Sequence, residues 1–74
     1  MTLQDILIDN YSNTIKDAEN EWTGYALESE FLETEGGFDD LEREATVGDN
    51  GRIWFIDPNG ARVESGLCVI KRSA

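Results

Sequence analysis

Residues 49–71 read DNGRIWFIDPNGARVESGLCVIK and hold the strongest fold signal in the chain. Asp-Asn-Gly at 49–51 is typical of a tight turn. The run at 52–56 is rich in the β-branched and aromatic residues that favour strands. Asp-Pro-Asn-Gly at 57–60 has the residue order of a type I turn that ends in a left-handed glycine. The stretch therefore predicts an antiparallel β-hairpin.

The length of this turn fixes which residues of the two strands face each other. The second strand is expected from Ala61 to about Lys71, with a bulge at Gly66. On one face the turn pairs Phe55 with Val63 and Ile53 with Ser65. On the other face it pairs Trp54 with Glu64 and Ile56 with Arg62. The first face is the predicted core. For the second face we favour cover by the acidic segment, and the alternative is an exposed apolar patch that binds a partner.

The N-terminal residues have helical spacing. Apolar side chains recur at steps of three or four, which is one face of an amphipathic helix, at Leu3, Leu7, Tyr11, Ile15, Ala18 and Trp22. Thr2 is the expected N-cap, and Asp5 three residues later favours the positive end of the helix. A helix is therefore predicted to begin at Leu3.

The segment between the helix and the hairpin is ambiguous. Gly24 either ends the first helix as a C-cap or lies inside a longer helix. From there to residue 35 a helix is favoured over a strand, because Glu, Leu and Ala are helix formers, and Gly36-Gly37 ends the segment in both cases. Residues 38–45 fit a helix face and a strand face equally well.

Together these signals predict an α+β fold in one small domain, residues 1–74. One N-terminal amphipathic helix, or two, would pack on a small antiparallel hairpin or three-stranded meander at the C-terminus. Residues 3–35 are expected to be mainly helical, and residues 46–72 are expected to form the antiparallel strands.

The composition argues against most catalytic chemistry. The chain has no histidine and one cysteine, so Ser-His-Asp catalysis, an internal disulfide and a zinc site are not expected. Cys68 lies in an apolar run and is expected to be buried and inert. There is no glycine-rich phosphate loop. So short a chain leaves little room for the cleft that a catalytic carboxylate pair needs. We therefore expect no enzyme activity, no cofactor and no metal.

Charge is divided unevenly along the chain. The first 49 residues hold fourteen of the sixteen acidic side chains and two basic ones, a net charge of −12. The last 25 residues have a net charge of +2. Like charges repel in a compact state, so this distribution does not help the fold. It favours a function in which a basic partner meets the acidic side.

Residues 17–49 contain twelve acidic residues and one basic one, many of the acids two to four positions apart. Helical neighbours at that spacing lie ~5–6 Å apart at Cβ, and each DNA strand has a phosphate about every 3.4 Å. In length, acidity and lack of catalytic groups, the chain resembles the small acidic inhibitors that phages encode. These include DNA-mimic anti-restriction proteins, uracil-DNA glycosylase inhibitors and anti-CRISPR proteins. The resemblance is compositional, contains no alignable motif and transfers no functional residues.

The resemblance implies an inhibitor or regulator that occupies the DNA or RNA site of a basic nucleic-acid-handling protein. The candidate partner-binding residues are the carboxylates Glu19, Glu21, Glu28, Glu30, Glu33, Glu35, Asp39, Asp40, Glu42 and Glu44. The candidate hydrophobic anchors are Trp22, Tyr25, Phe31 and Trp54, although core packing is the simpler assignment for each. One alternative is a general protein-interaction module, such as an immunity-type protein or small regulator, whose acidity serves solubility. The other is an oligomeric structural component, for example a homodimer that buries the second hairpin face.

The same features bear on location and on other partners. No basic segment followed by an apolar core begins the chain, and its longest apolar run, residues 53–56, is too short to cross a bilayer. A reducing cytoplasm is therefore expected, which is the host cytoplasm if a phage encodes the chain. Direct binding to nucleic acid or to membranes is not expected, because the acidic side repels phosphates and anionic lipids.

Overall fold

The computed structural model describes residues 1–34 and 37–70, and for Gly37 and Phe38 it describes the backbone only. Its elements are α1 (Leu3–Asp9), β1 (Thr14–Lys16), β2 (Glu21–Thr23), α2 (Gly24–Glu33), α3 (Gly37–Glu42), β3 (Ala45–Val47), β4 (Arg52–Ile56) and β5 (Arg62–Ile70). The strands form one antiparallel sheet in the order β2-β1-β5-β4-β3. The predicted α+β class is confirmed, but the sheet has five strands rather than two or three.

The C-terminal hairpin forms as the turn residues predict. The Gly60 amide donates to the Asp57 carbonyl (2.9 Å), and Gly60 has a φ of 85°. The Asp57 side chain accepts the amides of Asn59 and Ala61, both at 2.9 Å. These bonds fix the register, and three predicted pairs are confirmed: Phe55 with Val63, Trp54 with Glu64, and Ile56 with Arg62.

The predicted bulge at Gly66 is also present, and it changes the register beyond Trp54. Arg52 pairs with Cys68, so three residues of β5 lie opposite Ile53 alone. Gly66 has a φ of 81°, which glycine adopts without strain. The predicted strand pair of Ile53 with Ser65 is therefore wrong, although the Ser65 hydroxyl donates to the Ile53 carbonyl (2.5 Å). The predicted end of this strand, residues 71 and 72, lies outside the described residues.

The N-terminal helix begins where predicted and ends much earlier than its apolar stripe. Thr2 and Asp5 form a capping box, each side chain accepting the other residue's amide, at 3.2 and 3.0 Å. The helix stops at Asp9, and the stripe predicted to reach Trp22 is wrong beyond it. Tyr11 and Ala18, which the stripe places on the buried face, are both exposed.

Two short polar segments replace the rest of that helix. The Asn10 side chain donates to the Ile6 carbonyl (2.8 Å), and Asn13 donates to the Asn10 side chain (2.9 Å), which ends α1. Asp17 then accepts the amides of Glu19 and Asn20, at 2.7 and 2.6 Å, and turns β1 into β2. Asn10 and Asn13 in one turn were the sequence signal against a continuous helix.

The helix favoured for the next segment is confirmed as α2, with Gly24 at its start rather than at a helix end. The Thr23 hydroxyl accepts the Ala26 amide (3.1 Å) as the N-cap. A Cβ at Gly24 would lie 2.7 Å from the Leu7 carbonyl oxygen and would also meet that of Asn10. Glycine is therefore required because α1 and α2 touch through their backbones here.

Both alternatives for residues 38–45 are present in part. The helix α3 runs over Gly37–Glu42, and β3 begins at Ala45. Since α3 begins at Gly37, this glycine does not simply close the preceding segment, and Gly36 lies outside the described residues. A bridge between Thr2 and Glu44, with hydrogen bonds on both sides of it, ties the chain start to β3.

The core lies between the helices and one face of the sheet. Its helical members are Leu3, Ile6, Leu7, Leu27 and Leu41, and its sheet members are Ile15, Ala45, Ile53, Phe55, Leu67 and Val69. We call the helices α1, α2 and α3 the helix layer, and the sheet surface that points away from them the outer sheet face. Each buried strand residue has neighbours in sequence that point to the outer sheet face.

The outer sheet face has no cover from any described element, so the prediction that the acidic segment covers Trp54 and Ile56 is wrong. Both side chains are half-buried among their strand neighbours, and Ile70 on the same face is 40% exposed. Cys68, predicted to be buried, also lies on this face and is half-buried. Val63 is on the predicted core face but is 41% exposed. The physical reason is that the helices are short and all pack on one side.

Candidate functional site

The helix layer and the sheet differ in charge. The three described helices contain eight acidic side chains, two in α1, three in α2 and three in α3, and no lysine or arginine. The five described strands contain three basic residues and two acidic ones. Helix residues therefore contribute a charge of −8 and strand residues a charge of +1. The uneven charge along the sequence therefore appears in the fold as a charge difference between the helix layer and the sheet.

Most of the predicted partner-binding carboxylates belong to the helix layer. Glu28, Glu30 and Glu33 are on α2, and Asp39, Asp40 and Glu42 are on α3. Glu44 follows α3 and precedes β3. Glu19 is in the turn between β1 and β2, and Glu21 is on β2, so these two are separated from the rest. Glu35 lies outside the described residues.

The carboxylates of α2 face the solvent because the opposite side of the helix packs on the core. Gly24 and Leu27 are buried, whereas Glu30 and Glu33 are exposed. These two glutamates are three positions apart, which places them side by side on the helix surface. Among the described residues neither carboxylate has an ion-pair partner.

Ion pairs neutralise acids only at the margin of the helix layer. Arg43, just after α3, lies 3.8 Å from the Asp40 carboxylate. The Met1 amino group contacts the Glu44 carboxylate, and this hydrogen bond raises the pKa of the amino group. Both pairs are well exposed, so neither contributes much stability. Most of the helix-layer charge is therefore open to solvent and to a partner.

The outer sheet face neutralises its own charge. Arg52 lies 3.0 Å from Glu64, and Lys16 lies 3.6 Å from Glu21, its direct partner across the two strands. Arg62 adds one positive charge beside Ile56. A surface of alternating signs produces little long-range field, because opposite charges a few ångströms apart cancel within about a Debye length. Of the described helices and strands, the helices therefore carry nearly all of the net charge.

The four candidate anchors have different environments. Trp22 and Phe31 are partly buried and pack against the core. Trp54 is half-buried on the outer sheet face, away from the acidic helices. Tyr25, at the first turn of α2, is 67% exposed. Of the four, Tyr25 alone combines high exposure with a place in the helix layer.

Two exposed apolar residues near Tyr25 were not identified from the sequence. Ile8 is 49% exposed and Tyr11 is 63% exposed. The Tyr25 amide donates to the Tyr11 carbonyl (3.1 Å), so the two tyrosines leave adjacent backbone positions. The predicted helical stripe placed Tyr11 in the core, so its exposure was not predicted. Asn10 and Asn13 were the available signal, because a helix that ends there leaves Tyr11 in a surface turn.

Two aspartates have a pKa below the ordinary value for a local reason. The Asp5 carboxylate accepts the Thr2 amide, which contributes most to its lower pKa, and the Thr2 side chain lowers the pKa further. Asp17 accepts the amides of Asn20 and Glu19, which lower its pKa in the same way. Both shifts follow from hydrogen bonds to the charged carboxylate. These side chains act on the turns and caps of the fold.

Within residues 1–34 and 37–70, no three side chains of His, Cys, Asp or Glu are grouped so that they could hold a metal ion. None of the helices in these ranges has the length and apolar character to cross a membrane. Comparisons with protein-family models, with curated proteins and with solved structures found no match. What the site can do therefore has to be argued from its own charges and exposed side chains.

Proposed function

We propose that this chain is a non-enzymatic binding protein that inhibits or regulates a basic nucleic-acid-handling protein by occupying its DNA or RNA site. The observation that carries the proposal is the charge of the helix layer, eight acidic side chains without a lysine or arginine in the described helices. A groove built to hold phosphates is lined by lysine and arginine. Such a groove attracts this layer for the same electrostatic reason that it attracts nucleic acid.

The layer resembles a phosphate track in its field rather than in its shape. Glu30 and Glu33 are neighbours on α2, at a Cβ spacing of ~5–6 Å. Complementary charge increases association rates up to 10- to 1000-fold, roughly, and the effect falls steeply with ionic strength. Fast, salt-sensitive binding that competes with nucleic acid is therefore the expected behaviour.

The test begins with a tagged chain and a nuclease-treated host lysate at low and at high salt. A captured protein is then purified, and its binding to the chain is measured with and without DNA or RNA. The proposal expects mutually exclusive binding and a steep loss of affinity with salt. Equal affinity in high salt, or binding to a partner already loaded with nucleic acid, would contradict it and would favour a general interaction module.

A pair of charge reversals locates the effect. E30K/E33K changes the helix layer, and E19K/E21K makes the same change in net charge on the β1–β2 hairpin. We expect the first variant to slow association about tenfold or more and the second to slow it much less. Equal effects would mean that overall charge, rather than the helix layer, attracts the partner.

A second candidate function is assembly into a homo-oligomer through the outer sheet face. It is favoured by the absence of cover over Trp54, Ile56 and Ile70 among the described residues. Sedimentation equilibrium over a range of concentrations tests it. Because the chain has a net charge of −10, salt would strengthen self-association by screening repulsion, whereas it would weaken binding to a basic partner.

A further inference from the structure

The helices α1 and α2 meet along a line that we call the seam, and contacts at both ends fix it. At one end the Gln4 side chain donates to the Glu28 carboxylate (3.5 Å). At the other end the Tyr25 amide donates to the Tyr11 carbonyl (3.1 Å). The backbone contact of Gly24 with Leu7 and Asn10 holds the helices close at this second end. The surface over the seam is therefore a fixed part of the fold.

The solvent side of the seam holds three large exposed apolar residues. Ile8 is one helical turn beyond Gln4 on α1, and Tyr25 is about one turn before Glu28 on α2, so both lie on the same edge. Tyr11 lies in the turn that follows α1, and its amide donates to the Ile8 carbonyl (3.3 Å). Their exposed fractions are 49% for Ile8, 63% for Tyr11 and 67% for Tyr25.

Carboxylates flank this apolar strip on both helices. Asp5 and Asp9 are one turn apart on the exposed side of α1, and Glu28 lies on α2, where its carboxylate accepts from Gln4. The acids exclude phosphates, anionic lipids and a second copy of the helix layer, since each would bring like charge. A cationic protein segment is the partner that complements this charge.

Among cations, arginine fits this surface better than lysine. A guanidinium is planar, stacks on an aromatic ring and pairs with a carboxylate through two parallel hydrogen bonds. An ammonium is a compact, strongly hydrated charge that makes neither contact as well. The chain itself contains the combination, because the Arg43 guanidinium lies 3.9 Å from the Phe55 ring centroid and 3.8 Å from the Asp40 carboxylate.

We propose that the surface over the seam, with Tyr11 and Tyr25 at its centre, docks an arginine-bearing segment of the partner and selects arginine over lysine. This inference rests on the proposed function, because it names the chemistry by which the acidic helix layer recognises a basic protein. The tyrosines provide stacking that depends on the guanidinium plane, and the flanking carboxylates provide attraction that depends on charge alone.

The experiment uses two synthetic peptides of equal length and charge, one alternating arginine with glycine and one alternating lysine with glycine. Affinity is measured by calorimetry for the full chain at low and at physiological salt. Both cations are attracted by the rings, but only the guanidinium stacks on them and pairs bidentately with carboxylates, so we expect an arginine preference of about fivefold. Equal affinities would overturn the inference, as would failure of both peptides to bind at low salt.

Tyrosine variants separate stacking from charge. Y11F/Y25F keeps both rings and should keep the arginine preference. Y11L/Y25L removes the rings and should reduce the preference to about one, with binding of the lysine peptide and the salt dependence unchanged. Retention of the preference in the leucine variant would overturn the inference. Both residues are exposed, and the melting temperature checks that each variant remains folded.

These outcomes are distinguishable from those of the proposed function. If the peptides bind equally while the captured partner still competes with nucleic acid, the arginine-selective seam is wrong and the proposed function stands. If the arginine preference is found while partner and nucleic acid bind together, the seam stands and site occupation is wrong.

Discussion

The helix layer and the outer sheet face differ in whether their charged side chains have partners of opposite sign. On the sheet face, Lys16 and Glu21 are direct cross-strand partners, and Arg52 reaches Glu64. In the described helices there is no basic residue to pair with, so acids stand beside acids. Like charges at helical spacing destabilise a helix by a few tenths of a kcal/mol. The helix layer therefore retains like charges that lower the stability of the fold, so the fold itself does not account for them.

The largest predicted change in stability comes from truncating an isoleucine, and it should differ between the two sides of the sheet. Ile53 is fully buried against the helices, and Ile70 is 40% exposed on the outer sheet face. We expect I53A to lower the free energy of unfolding by about 2–5 kcal/mol, because it leaves a cavity. I70A should cost less than about 1 kcal/mol. Urea denaturation of both variants measures the difference, and similar costs would mean that the outer sheet face is covered after all.

A comparison of Gly24 with Gly60 separates two reasons for which a position requires glycine. G24A would force a Cβ against the carbonyls of α1, so we expect a loss of roughly 2–3 kcal/mol from this overlap. Gly60, in the hairpin turn, has a φ of 85° but open space around it. G60A should therefore cost only the left-handed conformation, about 1–2 kcal/mol. Urea denaturation should rank G24A below G60A in stability, and the reverse order would show that the two helices do not meet at Gly24.

Neutralising one carboxylate in each region should give changes of opposite sign. E30Q removes a like-charge neighbour of Glu33 on α2, and we expect it to stabilise the fold by about 0.2–0.5 kcal/mol at low salt. E64Q removes the partner of Arg52 and should destabilise it by about 0–1 kcal/mol. Thermal melts at low and at high salt measure both, and salt should shrink both effects. A destabilised E30Q would show that a cation from outside the helices pairs with Glu30.

The smallest effects concern pH. Asp5 and Asp17 have a lowered pKa because backbone amides stabilise their charged forms. Their contribution to stability is therefore present above the ordinary aspartate pKa and is lost as the pH falls through the lower folded value. The Met1 amino group has a raised pKa, so its contribution is present below its ordinary value and is lost as the pH rises through the folded value.

Carboxyl NMR titration checks the directions for Asp5 and Asp17. Asp5 and Asp17 should titrate below ordinary aspartate. T2A should raise the pKa of Asp5 only part of the way, because the Thr2 amide still donates, and it should leave Asp17 unchanged. An Asp5 pKa that does not move in T2A would show that the Thr2 side chain does not stabilise the charged Asp5 carboxylate.

Much of the fold could be predicted where short-range chemistry decides it. The turn at Asp57 and Gly60 and the bulge at Gly66 follow from backbone preferences of single residues, and so does the cap at Thr2. The helix expected after Gly24 follows from its composition. The first helix was predicted too long because Ile15 and Trp22 continue a spacing of three or four by coincidence. Paired across two strands, they reach the same face of the sheet.

The candidate site could be predicted less well, because exposure depends on which elements pack together. Carboxylates at 28–33 and 39–42 were identified from composition alone, and their place on the helices follows from the segment they occupy. Glu19 and Glu21 were grouped with them by proximity in sequence, yet the β1–β2 hairpin separates them. Tyr11 was assigned to the core, and its exposure depends on where α1 ends.

The sequence by itself determined the α+β class, the C-terminal hairpin with its register up to Trp54, and an excess of acid in the first 49 residues. Only the tertiary structure decided that three short helices pack on one side of a five-stranded sheet, which leaves Trp54 and Ile56 uncovered and turns eight carboxylates outward. The physical reason is the range of the forces. Turn and cap preferences act within a few residues, whereas burial depends on contacts between residues far apart in the chain, and these contacts determine which charges face the solvent.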